Sequence, residues 1–124
     1  MAVGSSALFS NTTGFNNVAL GSFALNANTS GTYNTSLGYA AMNNNTTGIE
    51  NVAIGTGALF ENTTGNNNAA TGSNALRRNT TGTNNSAYGN ETLYNNTEGI
   101  NNIAIGNVAL RANLIGNNLS LIHI

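Results

Sequence analysis

Cysteine, proline, tryptophan and aspartate are all missing from these 124 residues, and each absence removes something. Without cysteine there are no disulfides and no thiolate metal sites. Without aspartate, and with His123 as the only histidine, there is no Ser-His-Asp triad, no zinc site and no Asp-rich calcium repeat. Charge is nearly missing too. Three arginines and four glutamates give a net charge of −1. A surface this weakly charged has no means of steering towards nucleic acid or an anionic membrane. No apolar run reaches the roughly 18 residues of a membrane-spanning helix. Met1-Ala2-Val3-Gly4 has neither the basic stretch nor the apolar stretch of a signal peptide, so if the intact protein is secreted its export signal is expected outside these residues.

What fills the space instead is 27 Asn, 16 Thr and 15 Gly, and they are periodic. Glycine falls at Gly4, Gly21, Gly38, Gly55, Gly72, Gly89 and Gly106, at one constant interval. A second series runs from Gly14 to Gly116 at the same interval. With the first glycine as position one and seventeen positions in all, the unit reads G-x-x-A-L-x-x-N-T-T-G-x-N-N-V-A-I, seven times over. Position five is Leu8, Leu25, Met42, Leu59, Leu76, Leu93 and Leu110. Position eight is asparagine in every copy, including Asn28, Asn45, Asn62, Asn79 and Asn96.

A unit this short cannot hold two packed helices, and its fixed glycines break any long one. Segments such as Asn51-Val52-Ala53-Ile54 carry β-formers. The reading is all-β: a β-solenoid of seven coils, each with two short strands and two glycine corners, rising about 4.8 Å per coil. Glycine is expected at those corners for its freedom to take φ > 0, at Gly14, Gly31, Gly48, Gly65, Gly82 and Gly99 as at the first series. The asparagines of positions eight and fourteen are expected beside the corners, capping turns and forming amide ladders.

Stacking places one repeat position above itself in every coil. A thin core tolerates little change of volume, so the uniform columns should face inward. These are the position-five series and, at position sixteen, Ala53, Ala70 and Ala87. Strand alternation then turns positions fifteen and seventeen outward, giving an apolar stripe at Val18, Leu20, Val52, Ile54, Ile103 and Ile105. An exposed stripe of this kind implies self-association along the stack. Periodicity alone leaves the inverse register open, with fifteen and seventeen as the core.

Sites for chemistry are sparse. Glu50, Glu61, Glu91 and Glu98 fall at positions thirteen, seven, three and ten, so no column pairs two carboxylates. The glycines do not form a phosphate-cradling G-x-G-x-x-G after a strand. Arg77-Arg78 read as a solvated pair, with a weak binding spot as the alternative. The N-x-[ST] triplets are a by-product of the repeat. The chain is therefore expected to be no enzyme and to need neither metal nor cofactor. Ice binding is a minor alternative, because the Thr pair is adjacent and in a turn, not spaced along a flat strand.

Asn51-Val52-Ala53-Ile54-Gly55-Thr56-Gly57-Ala58-Leu59 and Asn102-Ile103-Ala104-Ile105-Gly106-Asn107-Val108-Ala109-Leu110 resemble the N-x-V-A-I-G-x-x-A repeat of YadA-like heads in trimeric autotransporter adhesins. That resemblance implies a left-handed parallel β-roll, assembled as a homotrimer on the outer surface of a bacterium, contacting host or environmental surface molecules. The adhesin repeats are shorter than the unit here, so the N-T-T-G corner reads as an insertion. The chain is also similar to the N-T-T-G arrays of phage tail-fibre-type proteins, which implies a virion fibre shaft as the alternative. Both likenesses span residues 2–118. Residues 1–118 are thus read as a repeat fragment uncapped at both ends. Residues 119–124 look like an in-frame translation of a transposase sequencing adaptor and are not expected to continue the coil.

Overall fold

The computed structural model describes residues 1–123. Eight strands follow one another: β1 (Ala2–Val3), β2 (Val18–Leu20), β3 (Thr35–Leu37), β4 (Val52–Ile54), β5 (Ala69–Thr71), β6 (Ser86–Tyr88), β7 (Ile103–Ile105) and β8 (Ser120–Ile122). They form one parallel sheet in sequence order. Each strand residue pairs with its equivalent one repeat further on, as Ala53 does with Ala70 and Ala70 with Ala87. The fold is a β-solenoid of about seven turns, with no helix among the described residues.

Each coil has one strand and not the two expected. The second arc, positions two to seven, is a run of turns. Its backbone explains why: positions three and five both take the left-handed region, as in Glu91 (φ 52) and Leu93 (φ 51). Residues that alternate through that region cannot pleat. The arc is still bonded to its neighbours, because the Leu59 N–H donates to the Ala75 carbonyl (3.0 Å) and the Glu61 N–H to the Arg77 carbonyl (2.9 Å). The left-handed conformation costs a non-glycine residue roughly 1–2 kcal/mol. It also accounts for the choice at position five, which is leucine or methionine in all seven coils and never valine or isoleucine. A β-branched side chain is a steric outlier there. In the two left-handed columns of this arc the one β-branched residue is Val108, at position three and exposed.

The interior is narrow. Leu25, Met42, Leu59, Leu76 and Leu93 are fully buried, whereas Leu8 and Leu110, in the end coils, are only partly covered. Each buried leucine contributes on the order of 1.5–3 kcal/mol. The central residue of each strand from β2 to β7 points inward: Ala53, Ala70 and Ala87 are fully buried, with Ala19, Ser36 and Ala104 in the same column. A further inward column, position four, holds Ala24, Ala41, Ala58 and Ala75. Two hydroxyls intrude on this core and both are satisfied. Ser36 Oγ donates to the Ala41 carbonyl (2.8 Å) and Thr92 Oγ1 to the Gly106 carbonyl (2.6 Å).

The two glycine series serve different ends. Gly55 has φ +129, and a Cβ there would lie 2.6 Å from the Gly72 carbonyl oxygen. The second series does not have positive φ, contrary to expectation. Gly65 is glycine because a Cβ would lie 2.5 Å from the Gly82 carbonyl oxygen and would collide with Asn62 Oδ1. Gly14, Gly31, Gly48, Gly82 and Gly99 meet the same pair of obstacles, the next coil's glycine carbonyl and an asparagine side chain.

The last strand also departs from expectation. Ser120–Ile122 continues the ladder in register with Ile103–Ile105, although its side chains are exposed. A parallel ladder is made by backbone N–H and C=O groups, so it extends whatever the side chains are. Residue 124 lies outside the described residues.

Candidate functional site

Much of the interior is polar. Asn28, Asn45, Asn62, Asn79 and Asn96, expected beside corners, are completely buried. Each donates Nδ2 to the Oδ1 of the asparagine one coil earlier: Asn45 to Asn28, Asn62 to Asn45 and Asn79 to Asn62, all at 2.8 Å. A second ladder runs through position fourteen, where the backbone N–H of Asn51 donates to Asn34 Oδ1 (3.0 Å) and that of Asn68 to Asn51 Oδ1 (3.0 Å). The two ladders meet on the second glycine series. The Gly65 carbonyl accepts from Asn62 Nδ2 (3.0 Å) within its own coil and from Asn51 Nδ2 (2.8 Å) of the coil before. No buried side-chain nitrogen or oxygen lacks a partner among the described residues. A buried amide is costly only when unpaired, so this spine fixes register at little penalty.

The first threonine of the N-T-T-G corner is occupied as well. Thr46 Oγ1 donates to the Thr63 carbonyl (3.0 Å), and the backbone N–H groups of Thr46, Thr47 and Gly48 converge on the same oxygen. This hydroxyl column faces along its own stack, whereas the second threonine of the corner, as in Thr47 and Thr64, is exposed.

Outward from the strands, positions fifteen and seventeen carry the apolar stripe. Leu20, Val52, Ile54, Ile103 and Ile105 are exposed, between 37% and 47%, while Val18 is half-buried. The stripe is not continuous. Val18, Leu20, Leu37, Val52 and Ile54 form one stretch and Tyr88, Ile103 and Ile105 another, with Ala69, Thr71 and Ser86 between them. Phe15, Ile49 and Ile100, at position twelve, are exposed as well.

The charged side chains lie elsewhere. Arg111 Nε is 2.7 Å from Glu91 Oε2, and Arg78 Nε is 4.0 Å from Glu61 Oε2. The remaining arginine, Arg77, lies over the Phe60 ring at 4.6 Å, as Arg111 lies over Tyr94 at 5.1 Å. Both stacks join position six of successive coils, so reading the sequence down its columns would have found them. No cluster of three His, Cys, Asp or Glu residues occurs among the described residues. The arrangement presents repeated surfaces. Comparison with protein-family models, with curated proteins and with solved structures returns no match.

Proposed function

We propose that this chain is a structural and adhesive segment, the head or shaft of a bacterial surface adhesin, assembled as a parallel homotrimer outside the cell. The observation that carries this reading is the outward apolar stripe on a very thin coil. Ile54 and Ile105 are both 39% exposed although their strand neighbours Ala53 and Ala104 are fully buried. A core of one leucine and two alanines per coil buries little surface against the chain entropy it must offset. Three copies meeting along one axis would cover the stripe, and cyclic symmetry closes the assembly. The left-handed roll and the trimer come with the resemblance of Asn51-Val52-Ala53-Ile54-Gly55 and its equivalents to adhesin head repeats. The exposed threonines of position ten, such as Thr47 and Thr64, and the exposed asparagines of position thirteen, such as Asn67 and Asn84, would then face outward, presenting host or environmental surface molecules with many weak contacts at once. The N-T-T-G corners favour a second reading of the same shape, a phage-type fibre shaft.

Sedimentation of the chain alone and with Ile54→Asp and Ile105→Asp tests the assembly. The reading predicts a trimer that the two substitutions dissociate. A wild-type monomer, or a trimer indifferent to both changes, would remove the stripe as the assembly surface.

A further inference from the structure

Column six places an arginine over an aromatic ring twice, and the two copies differ in one respect. Arg111, over Tyr94, is neutralised by Glu91, which stands at position three of the coil before. Arg77, over Phe60, has Gly57 at the equivalent place in the coil before its own. Ala40 precedes Gly57 in that column. Two small residues in succession open a cleft of about 400 Å3, lined by Phe23, Tyr39, Asn43, Thr56, Phe60 and Arg77. Among the described residues Arg77 has no carboxylate partner. Its Nη1 donates to Asn74 Oδ1 (3.2 Å) and lies 2.8 Å from where a Gly57 Cβ would be.

We infer that this cleft binds an acidic sugar residue, a pyranose ring bearing a carboxylate. The Glu91–Arg111 pair shows what the site lacks. A carboxylate occupies the position-three space in that coil, whereas in the Gly57 coil Asn74 Oδ1 and Arg77 Nη1 crowd the place of a Cβ, at 2.7 and 2.8 Å, and the open space is the cleft that the stacked guanidinium lines. A ligand carboxylate placed there forms the charge-assisted pair that Arg77 does not make within the protein. The rest of the lining suits a sugar ring. Phe23 and Tyr39 stand edge to face, with centroids 6.0 Å apart, and both are well exposed, giving an apolar surface for the C–H face of the ring. Asn43 and Thr56 supply amide and hydroxyl groups for its hydroxyls. The size of the cleft matches a small-molecule site. Positions two, three and six form it, outside the strands, so it does not compete with the stripe. The inference rests on the adhesive reading only for the idea of a surface target, and it needs one copy of the chain.

The test is titration of the isotope-labelled full chain, followed by amide NMR, with methyl glucuronide, methyl glucoside and acetate as probes. The glucuronide should shift the Ala40 and Gly57 amides saturably, with a dissociation constant of about 1–10 mM, as befits one ring and one ion pair. Glucoside and acetate should shift them at least about tenfold more weakly. Arg77→Ala should weaken glucuronide binding by about tenfold or more, and Arg78→Ala should not. Gly57→Glu and Gly57→Phe should abolish it. The backbone conformation permits both, because Glu91 and Phe23 already occupy position three at φ 52 and φ 61, and the added Cβ displaces only the ends of the Asn74 and Arg77 side chains. No saturable shift with glucuronide, equal shifts with glucoside or acetate, or undiminished binding by Gly57→Glu would each overturn the assignment. A negative result with the trimer intact would leave the assembly reading standing.

Discussion

Asn62 stands directly over Asn45 and donates Nδ2 to its Oδ1 at 2.8 Å, with both side chains fully buried. The same relationship repeats from coil to coil, so each asparagine is donor to one neighbour and acceptor for the other. Asn62→Ala breaks both links, leaving Asn45 Oδ1 without its donor and Asn79 Nδ2 without one of its acceptors. The expected cost is about 2–4 kcal/mol, the sum of two poorly satisfied buried groups. Chemical denaturation of the variant measures it. A cost below that of an ordinary surface substitution would mean that the ladder contributes little.

Leu59 has φ 51 and is fully buried, so its site constrains both shape and volume. Leu59→Met, the residue already present at Met42, should cost less than about 1.5 kcal/mol. Leu59→Ile keeps the volume and should cost more than Leu59→Met, because a β-branched residue is strained at that φ. Leu59→Ala should cost about 2–5 kcal/mol. Thermal unfolding of the three variants gives the order, and Ile equal to or better than Met would contradict the backbone assignment.

Position thirteen is left-handed in every coil and is asparagine in five of them, Asn16, Asn67, Asn84, Asn101 and Asn118. Glu50 is an exception at φ 57 and is exposed. Asparagine tolerates this conformation better than glutamate. Glu50→Asn should therefore stabilise the chain, by about 0.5–1 kcal/mol, and a rise in melting temperature is the readout.

Gly55 and Gly65 should both reject alanine. A Cβ at Gly55 would lie 2.6 Å from a carbonyl oxygen of the next coil, and one at Gly65 would lie 2.5 Å from its own such oxygen. Each oxygen belongs to backbone, so the coils must separate locally. Gly65→Ala also displaces Asn62 from its ladder. Loss of cooperative unfolding by circular dichroism is expected for both, and a native-like transition in either would show that the coils are more loosely stacked.

Much of this is legible because the columns are uniform. Seven copies of Leu or Met at position five, and small residues at sixteen, mark an inward face by themselves. The expectation of a second strand fails because residue types do not display dihedral angles. Leucine and glutamate seldom adopt positive φ, yet Leu93 and Glu91 do so in the same arc. The ladder and the corner contact of Asn62 are legible, but its burial is not, because an amide ladder can run along a surface as well as through an interior. The inward turn of position four is not legible either, because alanine is small enough to be common anywhere. The Arg77 cleft depends on a missing side chain, Gly57, at a position that is variable and so carries no repeat signal.

The central claim is that each residue stands over its equivalent in the next repeat, coil upon coil. Thr13 and Thr81 are exposed, occupy the same repeat position and lie four coils apart. Spin labels at these two sites, diluted with unlabelled chain, report their separation by pulsed electron paramagnetic resonance. At about 4.8 Å per coil the predicted Cα separation is about 19 Å, with a narrow distribution. A broad distribution centred far beyond that value would contradict the stack and everything built on it.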